Sequence, residues 1–76
     1  MFRFEYTDTF AGEANYSWVK REVVQLPENI SDRSLVRAAK AWAGLNGVPC
    51  DTDNYGDTIA IRPRNITTVL FVTWEG

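Results

Sequence analysis

The chain has 76 residues, eight basic and ten acidic side chains, and a formal net charge of −2; it holds no histidine and one cysteine, Cys50, against three Trp, three Tyr and four Phe. Without imidazole it lacks the usual general base, metal ligand and pH switch, and one thiol makes neither an internal disulfide nor a zinc site. The near-balanced charge does not suit a non-specific nucleic-acid binder, whereas the aromatic surface suits a core and a binding interface.

Residues 1–76 read as a single domain. Phe2-Arg3-Phe4-Glu5-Tyr6-Thr7 alternates with period two, which predicts a strand with one buried face and one wet face. Thr9 to Ala14 carries Gly12 and reads as a connection. Tyr16 to Leu26 is a second strand, rich in Val and aromatics. Its parities are mixed: Lys20 and Glu22 share a face with Tyr16, Trp18, Val24 and Leu26, so a bulge near Lys20-Arg21 is expected to switch the buried face. Pro27 stops this strand because it has no N–H to donate.

Ser31 is a good N-cap and Asp32 suits the positive end of a helix dipole. Leu35, Ala38, Ala39, Trp42 and Leu45 then recur at helical spacing, predicting one helix over about 32–45 that ends at Gly44 or Gly47. Val48 to Gly56 is polar and rich in turn formers. Ile59 and Ile61 mark a strand over 57–62, Pro63-Arg64-Asn65 a hairpin connection, and Ile66 to Trp74 the strongest strand, apolar on both faces. The expected fold is α+β in the order strand–strand–helix–strand–strand: a four-stranded, mostly antiparallel sheet with the helix on one face. One helix covers one face, so Val69 and Phe71 need a cover from loops or from a second chain.

Asp51, Asp53, Tyr55, Gly56 and Asp57 sit at spacings reminiscent of a calcium loop. Position five is Tyr55 and position twelve is Arg62 instead of a bidentate Glu, so the stretch reads as a solvated acidic loop with no metal and no cofactor. Arg33, Arg37 and Lys40 recur at i, i+4 and i+7, a basic stripe opposite Leu35, Ala38 and Trp42. It is either a solvated helix face or a docking edge for an acidic protein surface or a phosphate backbone, and Lys20-Arg21 and Arg62/Arg64 would extend it if the fold brings them close. Tyr16, Trp18, Phe71 and Trp74 would stack bases if they shared an open sheet face. Cys50 beside Asp51 and Asp53 is a poor nucleophile, since carboxylates disfavour the thiolate and no histidine stands by as base. Asn15, Asn29 and Asn65 open N-x-S/T triplets that matter only in a secreted protein. No apolar run reaches the length of a membrane span. These features point away from an enzyme and towards a protein that acts by contact.

The stretch from Tyr6-Thr7-Asp8-Thr9-Phe10-Ala11-Gly12-Glu13 through Ala14-Asn15-Tyr16-Ser17-Trp18-Val19-Lys20-Arg21 resembles small proteins encoded by phages and prophages. Asp53-Asn54-Tyr55-Gly56-Asp57 and Thr68-Val69-Leu70-Phe71-Val72 are similar to the same group. The resemblance covers most of the chain and carries no functional motif. It implies an origin in a mobile element, work in the cytoplasm of a host cell, and action by binding a host protein; anti-CRISPR proteins are one class of this kind.

Three readings follow. In the first, the chain binds a host protein or complex and inhibits it by occlusion. The contacts are then Arg33, Arg37 and Lys40, the acidic Asp51, Asp53, Tyr55 and Asp57, and the open sheet face. On a CRISPR surveillance complex the acidic loop would mimic phosphate in a Lys-rich channel. In the second, Arg33, Arg37 and Lys40 hold nucleic-acid phosphates in a regulatory accessory protein. In the third, the chain is a homodimer paired through the Ile66–Trp74 strand.

Overall fold

A computed structural model describes all 76 residues. The elements run β1 (Phe2–Phe10), β2 (Glu13–Val24), α1 (Asp32–Trp42), β3 (Cys50–Asn54), β4 (Thr58–Pro63) and β5 (Thr68–Trp74). The protein is α+β as expected, with one helix, but the sheet has five strands in the order β2-β1-β5-β4-β3, not four. Every neighbouring pair is antiparallel. The additional strand is β3, where the sequence pattern predicts a loop. It lies at an edge and pairs only with β4, so it is not required to alternate apolar and polar side chains.

Cross-strand partners share a face, so the register sorts the side chains. Phe2 pairs with Trp74, Phe4 with Val72 and Tyr6 with Leu70; Val72 and Leu70 pair onward with Ile59 and Ile61. These residues form the face that meets α1, with Leu35, Ala39 and Leu45 closing the core from above. The period-two reading of β1 therefore holds.

The helix begins as its sequence dictates. Ser31 lies in extended backbone, and its hydroxyl accepts from the Ser34 N–H at 3.2 Å. Ile30 before the cap and Leu35 in the second turn both pack into the core, which fixes the angle of entry. The end comes at Gly44, not Gly47, and earlier than position 45. Gly44 adopts φ +73, its N–H donates to Ala41 O, and the Leu45 N–H reaches back to Lys40 O at 2.8 Å. This left-handed reversal satisfies the last helical carbonyls and turns Leu45 into the core, where it is 3% exposed.

The face away from α1 carries Arg3, Glu5 and Thr7 of β1, flanked by Val19, Arg21 and Val23 of β2 and by Val69, Phe71 and Thr73 of β5. Its cover comes from the chain itself. β1 and β2 lose register between Thr7 and Thr9, where Thr7 pairs with Val19 but Thr9 with Ala14. The surplus residues of β2 bulge, with Tyr16 at φ 56, and a bulge bends the strand. The hairpin tip reaches across the sheet, where Arg62 Nη1 donates to Gly12 O at 3.2 Å. Thr7 and Val69 are both fully buried, and Phe71 is half-buried. The irregularity in β2 thus falls near Asn15–Trp18 and not at Lys20-Arg21, where pairing runs unbroken from Val19 to Val24. Lys20 and Glu22 stay on the helix face and meet α1 there.

Candidate functional site

The basic stripe is real but narrower than its spacing suggests. Arg33 and Arg37 are exposed along α1, and with Val36, Lys40, Asn46 and Gly47 they line an open groove of about 400 Å³. Lys40 is half-buried and spends its charge on the reversal after the helix, donating from Nζ to Val48 O at 2.8 Å. The ion pairs of the molecule join Arg3 to Glu75, Arg21 to Glu5 and Arg64 to Asp51. Arg33 and Arg37 enter none of them. Arg21, Arg62 and Arg64 do not extend the ridge: Arg21 and Arg62 lie on the other face of the sheet, and Arg64 is held by Asp51. Lys20 is tied to the far end of the helix, donating to Trp42 O at 2.9 Å.

The acidic residues fall on β3 and the turn after it. Asp51 is opposite Arg62 and Asp53 opposite Ala60, which puts both on the face away from α1, while Thr52 and Asn54 point toward the helix. Tyr55 and Asp57 are exposed in the turn. The sheet therefore separates Asp51 and Asp53 from Arg33 and Arg37. Asp51 is held by both Arg64 Nε and Nη2, and that guanidinium keeps its carboxyl below the usual range and raises Arg64 in return. Asn54 ties the turn together: its amide donates to Asp32 at 3.1 Å and its carbonyl accepts from the Gly56 N–H at 2.8 Å. No three Asp, Glu or Cys side chains gather to hold a metal ion. Cys50 is half-buried with its thiol aimed at Val48 O at 3.3 Å.

The aromatics do not form a stacking platform, because the register divides them. Trp74 packs edge-on against Phe2 at 5.0 Å and Trp18 against Tyr6 at 5.3 Å, both on the helix face. Tyr16 donates its hydroxyl to Glu5 at 2.8 Å on the other face, where Phe71 also lies. Partial burial pushes the Glu5 carboxyl up, but the hydrogen bonds from Arg21 and Tyr16 and the nearby guanidinium charges outweigh it and leave it lowered. Glu5 in turn raises Tyr16 and Arg21. β5 cannot serve a homodimer by strand pairing, since β1 and β4 occupy both its edges.

Sequence reasoning missed two constellations. Asp8 accepts from Ser17 N and Ser17 Oγ, from Asn15 Nδ2 at 2.9 Å and from Thr7 Oγ1 at 3.3 Å, which fixes the β2 bulge. These donors hold its carboxyl far below the usual carboxylate range. Glu22 accepts from Trp42 Nε1 at 3.0 Å while the Lys20 ammonium sits 4.6 Å from the Trp42 ring centroid. The signal for the second was on view: two charged residues on a buried parity need a polar partner, and Trp42 offers an N–H and a π-face. No helix is long and apolar enough to cross a membrane. Comparison with family models, with curated proteins and with solved structures finds no match.

Proposed function

We propose that the protein acts by contact, docking the Arg33/Arg37 face of α1 on an acidic surface of a partner protein and occluding it. The observation that carries this reading is the pair of exposed guanidinium groups with no carboxylate partner, whereas Arg3, Arg21 and Arg64 are neutralised within the chain and Arg62 is held by the Gly12 carbonyl. The three grooves are open to solvent, as a docking surface requires. The resemblance to phage proteins directs the search to host defence complexes, CRISPR surveillance complexes among them, and makes the consequence inhibition.

Nucleic acid is the second reading of the same ridge. Three basic side chains neutralise at most about three phosphates, so binding would weaken with salt at a log–log slope of about −3. The experiment is affinity capture from host lysate with the wild-type protein and with R33E/R37E, each with and without nuclease. A stoichiometric protein that survives nuclease and is lost with R33E/R37E supports the occlusion reading. Capture that depends on nucleic acid transfers the ridge to the second reading. Capture indifferent to R33E/R37E removes the ridge from the function.

A further inference from the structure

β2 is the longest strand and one of its two edges pairs with nothing. It also carries a disproportionate share of the exposed apolar surface: Tyr16, Trp18, Val19 and Val23 are 47%, 45%, 39% and 54% exposed. A long strand with unsatisfied N–H and C=O groups and apolar side chains is a template for another strand. The charges on β2 decide which strand fits. Lys20, Arg21 and Glu22 stand in sequence at the middle of the regular segment from Val19 to Val24.

We propose that the chain pairs with a second copy of itself, β2 against β2, antiparallel about a twofold axis at Arg21. In that register Lys20 stands opposite the partner's Glu22, and Val19 opposite the partner's Val23, each twice by symmetry. The order Val-Lys-Arg-Glu-Val is thus complementary to its own reverse, with an ion pair and an apolar pair on either side of the axis. Arg21 meets its own copy, but each is already neutralised by Glu5. Sliding the pairing two residues either way sets Lys20 against Lys20 or Glu22 against Glu22, and like charges directly opposite are unfavourable. The bulge at Asn15–Trp18 limits the pairing to the straight half of the strand.

The opposite edge of the sheet does not offer this. β3 reversed on itself about Thr52 would set Asp51 against Asp53, a like-charge pair on each side of the axis. In the β2 dimer directly opposed residues share a face, so both α1 helices lie on the same side of a continuous ten-stranded sheet. The two Arg33/Arg37 ridges then project from one side of the assembly, although the pairing itself does not rest on the docking role given to them.

Sedimentation velocity of the whole chain from micromolar to near-millimolar concentration tests the pairing. The mass is expected to rise from one chain to two and stop there. K20E and E22K each replace two attractive cross-strand pairs by two repulsive ones, and each is expected to weaken the dimer about tenfold. K20E/E22K exchanges the charges and is expected to restore it. The double variant does not rebuild the Lys20–Trp42 contact, so rescue reports on the dimer and not on the monomer fold. R21C in a C50S background is expected to form an intermolecular disulfide on mild oxidation much faster than V23C, because only the residue on the axis faces itself within disulfide reach. A single-chain mass at every concentration overturns the proposal. So does growth beyond two chains, which signals head-to-tail pairing of β2 on β3. A double variant no better than the singles, or V23C linking as fast as R21C, overturns the register.

Discussion

Lys20 on β2 and Trp42 at the end of α1 form a clasp between the edge of the sheet and the helix: Nζ donates to the Trp42 carbonyl at 2.9 Å and lies 4.6 Å from the centroid of its ring. Glu22 completes the clasp by accepting the indole N–H, and the ring rests edge-on against Phe4 at 5.5 Å. A cation at the carbonyl end of a helix also meets the negative end of its dipole. The clasp ties β2, with most of its side chains in water, to α1 in addition to its pairing with β1.

Truncating the centre of the clasp is expected to cost more than removing either charge. W42A loses a half-buried indole packed on Phe4 and is expected to destabilise by about 3 kcal/mol. K20M keeps the aliphatic stem and loses the ammonium, with an expected cost of about 0.5–1 kcal/mol. Urea unfolding of both variants and of the double variant checks the coupling. The effect of K20M should shrink in the W42A background, which loses the ring but keeps the residue-42 carbonyl, and fully additive losses would show that the indole contributes nothing to holding Lys20.

Asp8 makes the bulge of β2 dependent on pH. Its folded-state pKa lies far below that of the unfolded chain, so the stability it contributes is fully present above the unfolded value near pH 4. That contribution is lost as pH falls from there toward the folded-state value. Glu5 is lowered as well and loses stability over the same acid range, so wild type alone does not isolate Asp8. D8N keeps two polar atoms but removes the charge. Its stability at neutral pH is expected to be lower and its acid limb shallower, as measured by thermal melts from neutral pH down to the onset of acid unfolding. Identical acid limbs in D8N and wild type would show that the Asp8 hydrogen bonds do not survive in solution.

The sequence carried the elements whose residues answer to one requirement and hid those that answer to two. The helix was legible because Ser31, Leu35, Ala39 and Gly44 each do one thing: cap, bury, bury, reverse. β1 and β5 were legible because Phe2, Phe4, Leu70 and Val72 alternate toward one core. Cys50–Asn54 hid because an edge strand beside a solvated turn buries almost nothing, so turn-forming residues stand in extended backbone. The bulge hid because it is imposed by Asp8 across the hairpin, at a sequence distance that no local pattern spans. The spacing of Arg33, Arg37 and Lys40 correctly placed them on one helix face. The diversion of Lys40 to Val48 depends on the reversal at Gly44, which spacing does not express.

The turn between β1 and β2 leaves room for improvement. Ala11 and Gly12 both adopt positive φ, 54 and 83, as a two-residue hairpin loop with the twist of its strands requires. Alanine pays a steric penalty there that asparagine and glycine avoid. A11N is expected to stabilise the protein by about 0.5–1 kcal/mol without changing its contacts, because the side chain of Ala11 is exposed. A rise in melting temperature checks this, and an unchanged one would mean that the tip relaxes out of the left-handed region in solution.

The acidic segment is expected to behave as edge protection and not as a phosphate mimic. Asp51 is already matched by Arg64, Asp53 points from β3 to the face opposite the Arg33/Arg37 ridge, and Asp57 sits at the end of the turn. Charged side chains on an edge strand deter it from pairing with other chains. D51A/D53A/D57A is therefore expected to keep the fold and to keep capture of the partner within about twofold of wild type, since surface charges of this kind contribute little to either. The same variant is expected to aggregate more readily on heating, as followed by light scattering, because β3 then presents a neutral edge of five residues. Loss of partner capture with the fold intact would restore the phosphate-mimic reading and move the docking surface from α1 to β3.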